Sequence, residues 1–196
     1  MHPEGALPTR RLQRTTSIAQ AQPWRSDPVT LDSQALAVMT DLTQVKAATA
    51  SPRTTLRQAE QMMIYQGVRM LFVVTEMPFI EGLITATDLG GAKKMQVVHE
   101  RHLHYDELCV ADVMTEFGAL DAIDYAVVQS AVVGNAVATL QRLGRNHLLV
   151  VEAAAAKTPQ RVRGVISRSQ VERQLGRPID ITPIANSFSE IERALV

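Results

Sequence analysis

The chain has 196 residues, 46% of them hydrophobic but only 4% aromatic, with a formal net charge of zero and one cysteine. That length holds one domain or two small ones around an aliphatic and methionine-rich core. The neutral balance excludes a general nucleic-acid binder, and the lone Cys109 excludes an internal disulfide and a cysteine-based metal site. No apolar run reaches the length of a membrane span and no secretory core opens the chain, so a soluble cytoplasmic protein is expected, without membrane or nucleic-acid partners.

Residues 1–31 read as a flexible basic arm. Pro3, Pro8, Pro23 and Pro28 interrupt it, Arg10, Arg11, Arg14 and Arg25 charge it, and Trp24 is a candidate anchor on the domain surface. Order begins at Asp32 or Ser33, either of which can cap a short helix leading into Val38-Met39-Thr40-Asp41. An extended segment over 45–50 follows, and Pro52 marks the turn after it. Thr54 or Thr55 starts a helix with Leu56, Ala59, Met62 and Met63 on one face, and Gly67 ends it. Residues 70–74 read as a buried strand, and Met77-Pro78 turns the chain into the next strand.

That strand is Gly82-Leu83-Ile84-Thr85, running into Ala86-Thr87-Asp88 as the first turn of a helix. Gly82 permits either a close backbone approach or an unusual turn angle. Thr85 and Asp88 have capping-box spacing, with Asp in place of Glu. Such a helix start suits an anion, while Asp88 can instead accept hydrogen bonds from sugar hydroxyls; an ordinary strand-to-helix junction is the plain alternative. Gly90-Gly91 weakens the helix.

A charged connector, 97–108, carries His99, Glu100, Arg101, His102, His104, Asp106 and Glu107. His99-Glu100-Arg101-His102 falls one residue short of the helical zinc motif, so a solvated linker helix is expected rather than a metal site. Then the first half repeats in order. Val113-Met114-Thr115-Glu116 matches Val38 to Asp41; Ala136, Gly144, Leu148, Val150 and Val151 match Ala59, Gly67, Leu71, Val73 and Val74. Gly164-Val165-Ile166-Ser167 matches Gly82 to Thr85, and the gaps between copies fall in turns, the largest over 153–159. The domains expected are therefore 32–96 and 109–176, followed by a tail, 177–196, in which Ile184, Phe188, Ile191 and Leu195 have helical spacing and Ser187 with Glu190 makes a capping box.

Two copies of helix, strand, helix, strand, strand, helix, each opening with Val-Met-Thr and closing with Gly-apolar-apolar-Thr/Ser, resemble a pair of cystathionine-β-synthase (CBS) domains, a Bateman module, over about 35–175. The resemblance implies an α/β (α+β) fold of two pseudo-symmetric motifs, each a small three-stranded sheet with flanking helices. It implies two clefts that take AMP, ADP, ATP or S-adenosylmethionine as regulatory ligands, a homodimer, and a separate regulated protein, with no catalysis by the module itself. On this chain the implied ligand-binding residues are Asp88 for the ribose, Thr85 and Thr87 near ribose and phosphate, Gly82 at the strand, and the small residues Ala48, Thr49 and Ser51 around the base. In the second copy they are Ser167, Arg168 and Gln170. Gln170 stands where the acid should be, and 122–128 lacks the matching proline and includes Asp124 and Tyr125, so the second cleft is expected to be weaker. Arg145 and His147 are further candidates for charge near phosphates.

A stand-alone regulatory module binding an adenine nucleotide is the expectation; a ligand-free dimerisation or protein-interaction module is the alternative. No Gly-rich phosphate loop, paired nucleophile and base, or strong metal-ligand set points to an enzyme.

Overall fold

The two Val-Met-Thr segments part from the copies they introduce. The computed structural model describes residues 13, 27–101, 104–154 and 159–181. In chain order the elements are β1 (Met39–Asp41), β2 (Thr49–Ala50), α1 (Leu56–Gln66), β3 (Met70–Val73), β4 (Gly82–Thr85), α2 (Ala86–Gly90) and α3 (Ala92–Arg101). Then come α4 (Val110–Val113), β5 (Thr115–Glu116), β6 (Ala122–Asp124), α5 (Tyr125–Ser130), α6 (Val133–Leu143), β7 (His147–Glu152), β8 (Arg161–Ser167) and α7 (Arg168–Leu175). One sheet runs β2-β3-β4-β5 and the other β1-β8-β7-β6.

Each sheet thus has four strands where three were expected. The fourth is exchanged: β1 pairs antiparallel with β8, and β5 with β4. This exchange is what the motif glycines permit. A Cβ on Gly82 would stand 2.4 Å from the Thr115 carbonyl oxygen, and one on Gly164 would stand 2.8 Å from that of Thr40. Of the two readings of Gly82, close approach is therefore the one that holds.

The helices that flank the sheets begin and end as their residues dictate. Thr55 caps α1 in a capping box with Gln58, and Gly67 closes it at φ 66°. Gly144 closes α6 in the same left-handed conformation, at φ 59°. The turn over Ala35–Val38 has Gln34 at its cap, without a side-chain bond; the Ser33 hydroxyl instead accepts the Thr30 N–H.

Exchange also sorts the core. Leu56, Ala59, Leu71, Val73 and Ile84 pack with Leu108, Val110 and Val113 in the first core. Ala35, Val38 and Met39 pack with Val133, Leu140, Val150 and Ile166 in the second. Met70, Phe72 and Leu83 meet Leu149 and Val165 between the sheets, which locks the two halves face to face. The stretch read as a charged connector contributes Val97, Val98 and the fully buried Leu108 to the first core. Val97 and Val98 reach that core from α3, and Leu108 reaches it from the segment just before α4. The expectations for Trp24, His102, the loop centre 155–158 and the tail helix with Ile184, Phe188, Ile191 and Leu195 lie outside the described residues.

Candidate functional site

Sheet register sets where the two copies meet. Met70 pairs with Thr85, and His147 pairs with Ser167, so the start of each middle strand lies beside the start of a helix. The Ala86 N–H donates to the Arg69 carbonyl at 2.9 Å, and the Arg168 N–H donates to that of Asn146 at 2.8 Å. The same bond thus occurs in both copies. Across the pseudo-twofold between them, the Asn146 side-chain amide donates to the Thr87 hydroxyl at 3.3 Å.

A cavity of about 320 Å³ opens here. Arg69, Ala86 and Thr87 line it from the first copy, and Asn146, His147, Arg168, Ser169 and Glu172 from the second. Two guanidinium groups face one carboxylate. Arg168 Nε donates to Glu172 Oε1 at 2.8 Å, while Arg69 has no ion pair among the described residues. Burial first, and the nearby Arg69 charge second, push His147 down to about 4, so the imidazole is neutral at pH 7. The lining therefore carries an excess of positive charge with hydroxyl and amide donors around it, which suits a phosphate-bearing ligand.

Asp88 lies on α2 without lining this cavity, and its side chain forms the helix cap through Oδ2. Its Oδ2 accepts the Thr85 N–H at 2.8 Å and the Thr85 hydroxyl at 2.7 Å, while the Asp88 N–H donates to that hydroxyl at 3.4 Å. The capping box read from the sequence is thus present, and the Thr85 hydroxyl is engaged in it as both donor and acceptor. None of these bonds goes to Oδ1. Gln170 behaves differently: its side chain runs along α7, donating to Gln174 Oε1 at 3.1 Å and accepting from Arg173 at 3.1 Å. Its backbone N–H donates to the Ser167 hydroxyl at 3.3 Å. An amide tied along the helix does not reproduce the carboxylate turned onto Thr85.

The residues expected around the base do not all come to one place. The Ala48 carbonyl accepts the Phe72 N–H, and Thr49 pairs with Phe72, which puts β3 between these residues and β4. Ser51 follows Ala50, the partner of Val73, and Val73 pairs with Gly82 at the opposite end of the strand from Thr85. The Ser51 hydroxyl accepts the Arg53 N–H, and its own N–H donates to the Thr54 hydroxyl, so it serves a turn. Of the expected residues, Thr87 and Arg168 share the cavity; His147 joins them, but as a neutral imidazole rather than the expected charge, because burial lowers its pKa, whereas Arg145 pairs with Asp121 at 3.4 Å. Arg69, Asn146, Ser169 and Glu172 were missed. The signal for the first two was positional, since both directly precede the matched strands that open at Met70 and His147.

No family model and no curated protein matches the chain. Among solved structures, it is similar to an uncharacterized conserved protein from Pyrococcus horikoshii, with a TM-score of 0.53 and 18% identity, covering 79% of this chain and 100% of that one. It is also similar to a protein with CBS domains from Burkholderia ambifaria, with a TM-score of 0.50 and 17% identity, over 72% of this chain and 89% of that one. CBSX2 of Arabidopsis thaliana, solved in complex with AMP, overlaps with a TM-score of 0.49 and 19% identity, over 72% of this chain and 94% of that one. Two facing α/β motifs with exchanged strands are the class to which this architecture belongs. The chain has the fold of a tandem CBS-domain pair.

Proposed function

We propose that this chain is a regulatory CBS-pair module that binds an adenosine-containing ligand, of AMP, ADP or ATP type, between its motifs and signals to a separate partner. The observation that supports it is the cavity on the pseudo-twofold, lined by Arg69 and Arg168 with the hydroxyls of Thr87 and Ser169 and the amide of Asn146. The guanidinium groups take phosphate oxygens, the hydroxyls and amide orient them, and Asp88 Oδ1 accepts from the ribose. The reading is of binding and switching rather than catalysis. Calorimetric titration with AMP, ADP, ATP and S-adenosylmethionine tests it. Binding by at least one of them, weakened about tenfold or more in Arg69→Ala and in folded Asp88→Ala, is the expected result. Absence of binding by all four overturns it.

A second reading has its own observation. Ile64 and Tyr65 on α1 are 75% and 93% exposed, and Ile64 borders a groove with Met63, Val68 and Leu89. These apolar side chains favour a homodimer or protein-interaction face. Light scattering of the wild type and Ile64→Asp checks this: a dimer that becomes a monomer supports it, and a wild-type monomer removes the homodimer.

A further inference from the structure

Glu172 is the one carboxylate lining the cavity, and a single one of its oxygens holds two groups. Oε1 accepts Arg168 Nε at 2.8 Å and the Ile179 backbone N–H at 2.9 Å. Beyond the end of α7, the chain from 177 to 181 turns back over α6 and α7. Ile179 is buried in the second core, and Gln141 Nε2 donates to the Asp180 carbonyl at 3.1 Å. These five residues form a strap, and its one bond to a charged side chain ends inside the ligand cavity.

We infer that occupation of the cavity by a phosphate-bearing anion and docking of the 177–181 strap oppose each other, with Glu172 as the coupling residue. The inference rests on the phosphate-binding reading of the cavity and assigns that site its regulation. An anion between Arg69 and Arg168 competes with Glu172 for the Arg168 guanidinium. If Arg168 turns to the anion, Glu172 is left without its counter-charge beside a second negative group, a like-charge contact that drives the carboxylate outward. The Ile179 N–H, on a buried residue, then loses its acceptor, which a folded chain does not tolerate without rearrangement. The strap is the element placed to rearrange: residues 177–181 belong to no helix or strand, and besides the apolar seat of Ile179 and Ile181 it is held by these two bonds. Linkage makes the effect reciprocal: a docked strap lowers anion affinity by the factor by which the anion lowers strap protection.

The test follows hydrogen exchange in the full chain at the peptide spanning 177–181, with inorganic pyrophosphate and separately with ADP, alongside calorimetry. Exchange at Ile179 is expected to rise about tenfold at saturating pyrophosphate. Glu172→Gln keeps a neutral acceptor for Ile179 but removes the repulsion. It is expected to bind pyrophosphate more tightly and to show little change at the strap. Binding without any change in wild-type exchange at 177–181 overturns the inference, as does an equal response in Glu172→Gln. Binding of pyrophosphate with the strap responding, but of none of AMP, ADP, ATP and S-adenosylmethionine, leaves the coupling standing and removes the adenosine reading. Binding of neither pyrophosphate nor any of these four removes both.

Discussion

Arg163 grips Asp41 with two parallel hydrogen bonds, Nε to Oδ1 at 3.0 Å and Nη2 to Oδ2 at 2.7 Å, across 122 positions of sequence. The same guanidinium donates to Glu152 at 2.6 Å and lies 4.8 Å from the centre of the Tyr125 ring. The fork clamps β1 to a sheet built by the other copy.

Removing that clamp should be costly. Both side chains are largely buried, so Arg163→Met leaves Asp41 with only Thr43 as a partner. Urea denaturation should show a loss of about 2 kcal/mol, against less than about 0.5 kcal/mol for an exposed pair. Hydrogen bonds from Arg163 hold the Asp41 carboxyl well below the usual carboxylate range. A depressed carboxylate stabilises above its unfolded pKa, so this contribution is lost as pH falls below about 4, and Arg163→Met should flatten that acid limb.

His147 gives a second pH dependence in a higher window. Its folded value of about 4 lies below the ordinary 6.5, so between these the unfolded chain binds the extra proton. Stability should therefore fall as pH drops from 6.5 towards 4 and level off below, by about 2 kcal/mol once part-exposure is allowed for. Thermal melts of the wild type and His147→Gln over this range check it. An unchanged slope in the variant would assign the dependence elsewhere.

Gly82→Ala tests the exchange itself. The new methyl meets the Thr115 carbonyl oxygen at 2.4 Å, a backbone atom that cannot rotate away. A loss of about 1–3 kcal/mol is expected, with faster amide exchange confined at first to β4 and β5. Gly67→Ala makes a useful contrast: beyond the adjoining residues no atom would lie within 4 Å of the added Cβ, and only the left-handed φ of 66° resists it.

Asp88→Ala should lower stability by about 1 kcal/mol through loss of the capping box alone. Any loss of nucleotide affinity must then exceed what Thr85→Ala produces, since Thr85→Ala removes the same cap and leaves the carboxylate. Equal losses in the two variants would make Asp88 a helix cap only.

The duplication, the glycines, the caps at Thr55 and Thr85 and the left-handed ends at Gly67 and Gly144 were legible because each is a local pattern. The exchange of β1 and β5 was not, since nothing in Val-Met-Thr says which of two similar sheets it joins. The site was legible in part. Thr87 and Arg168 follow from the strand-to-helix junctions, but Arg69 and Glu172 become site residues only when the pseudo-twofold brings two such junctions together. Ser51 was legible only as a small polar residue at the right distance in sequence; its turn bonds to Arg53 and Thr54 show in the structure alone.

The crossing of β1 and β5 also bears on how the chain must be made. Ala35 to Asp41 leave the ribosome early, yet their partners on β8 begin only at Gly164. The first sheet gains its last strand only once Glu116 has emerged, across a presumed boundary between halves. Vectorial synthesis therefore leaves β1 waiting for β8, the last strand among the described residues. Cutting the gene between the repeats would give two fragments, each holding a piece of the other's interior, that become soluble only when produced together.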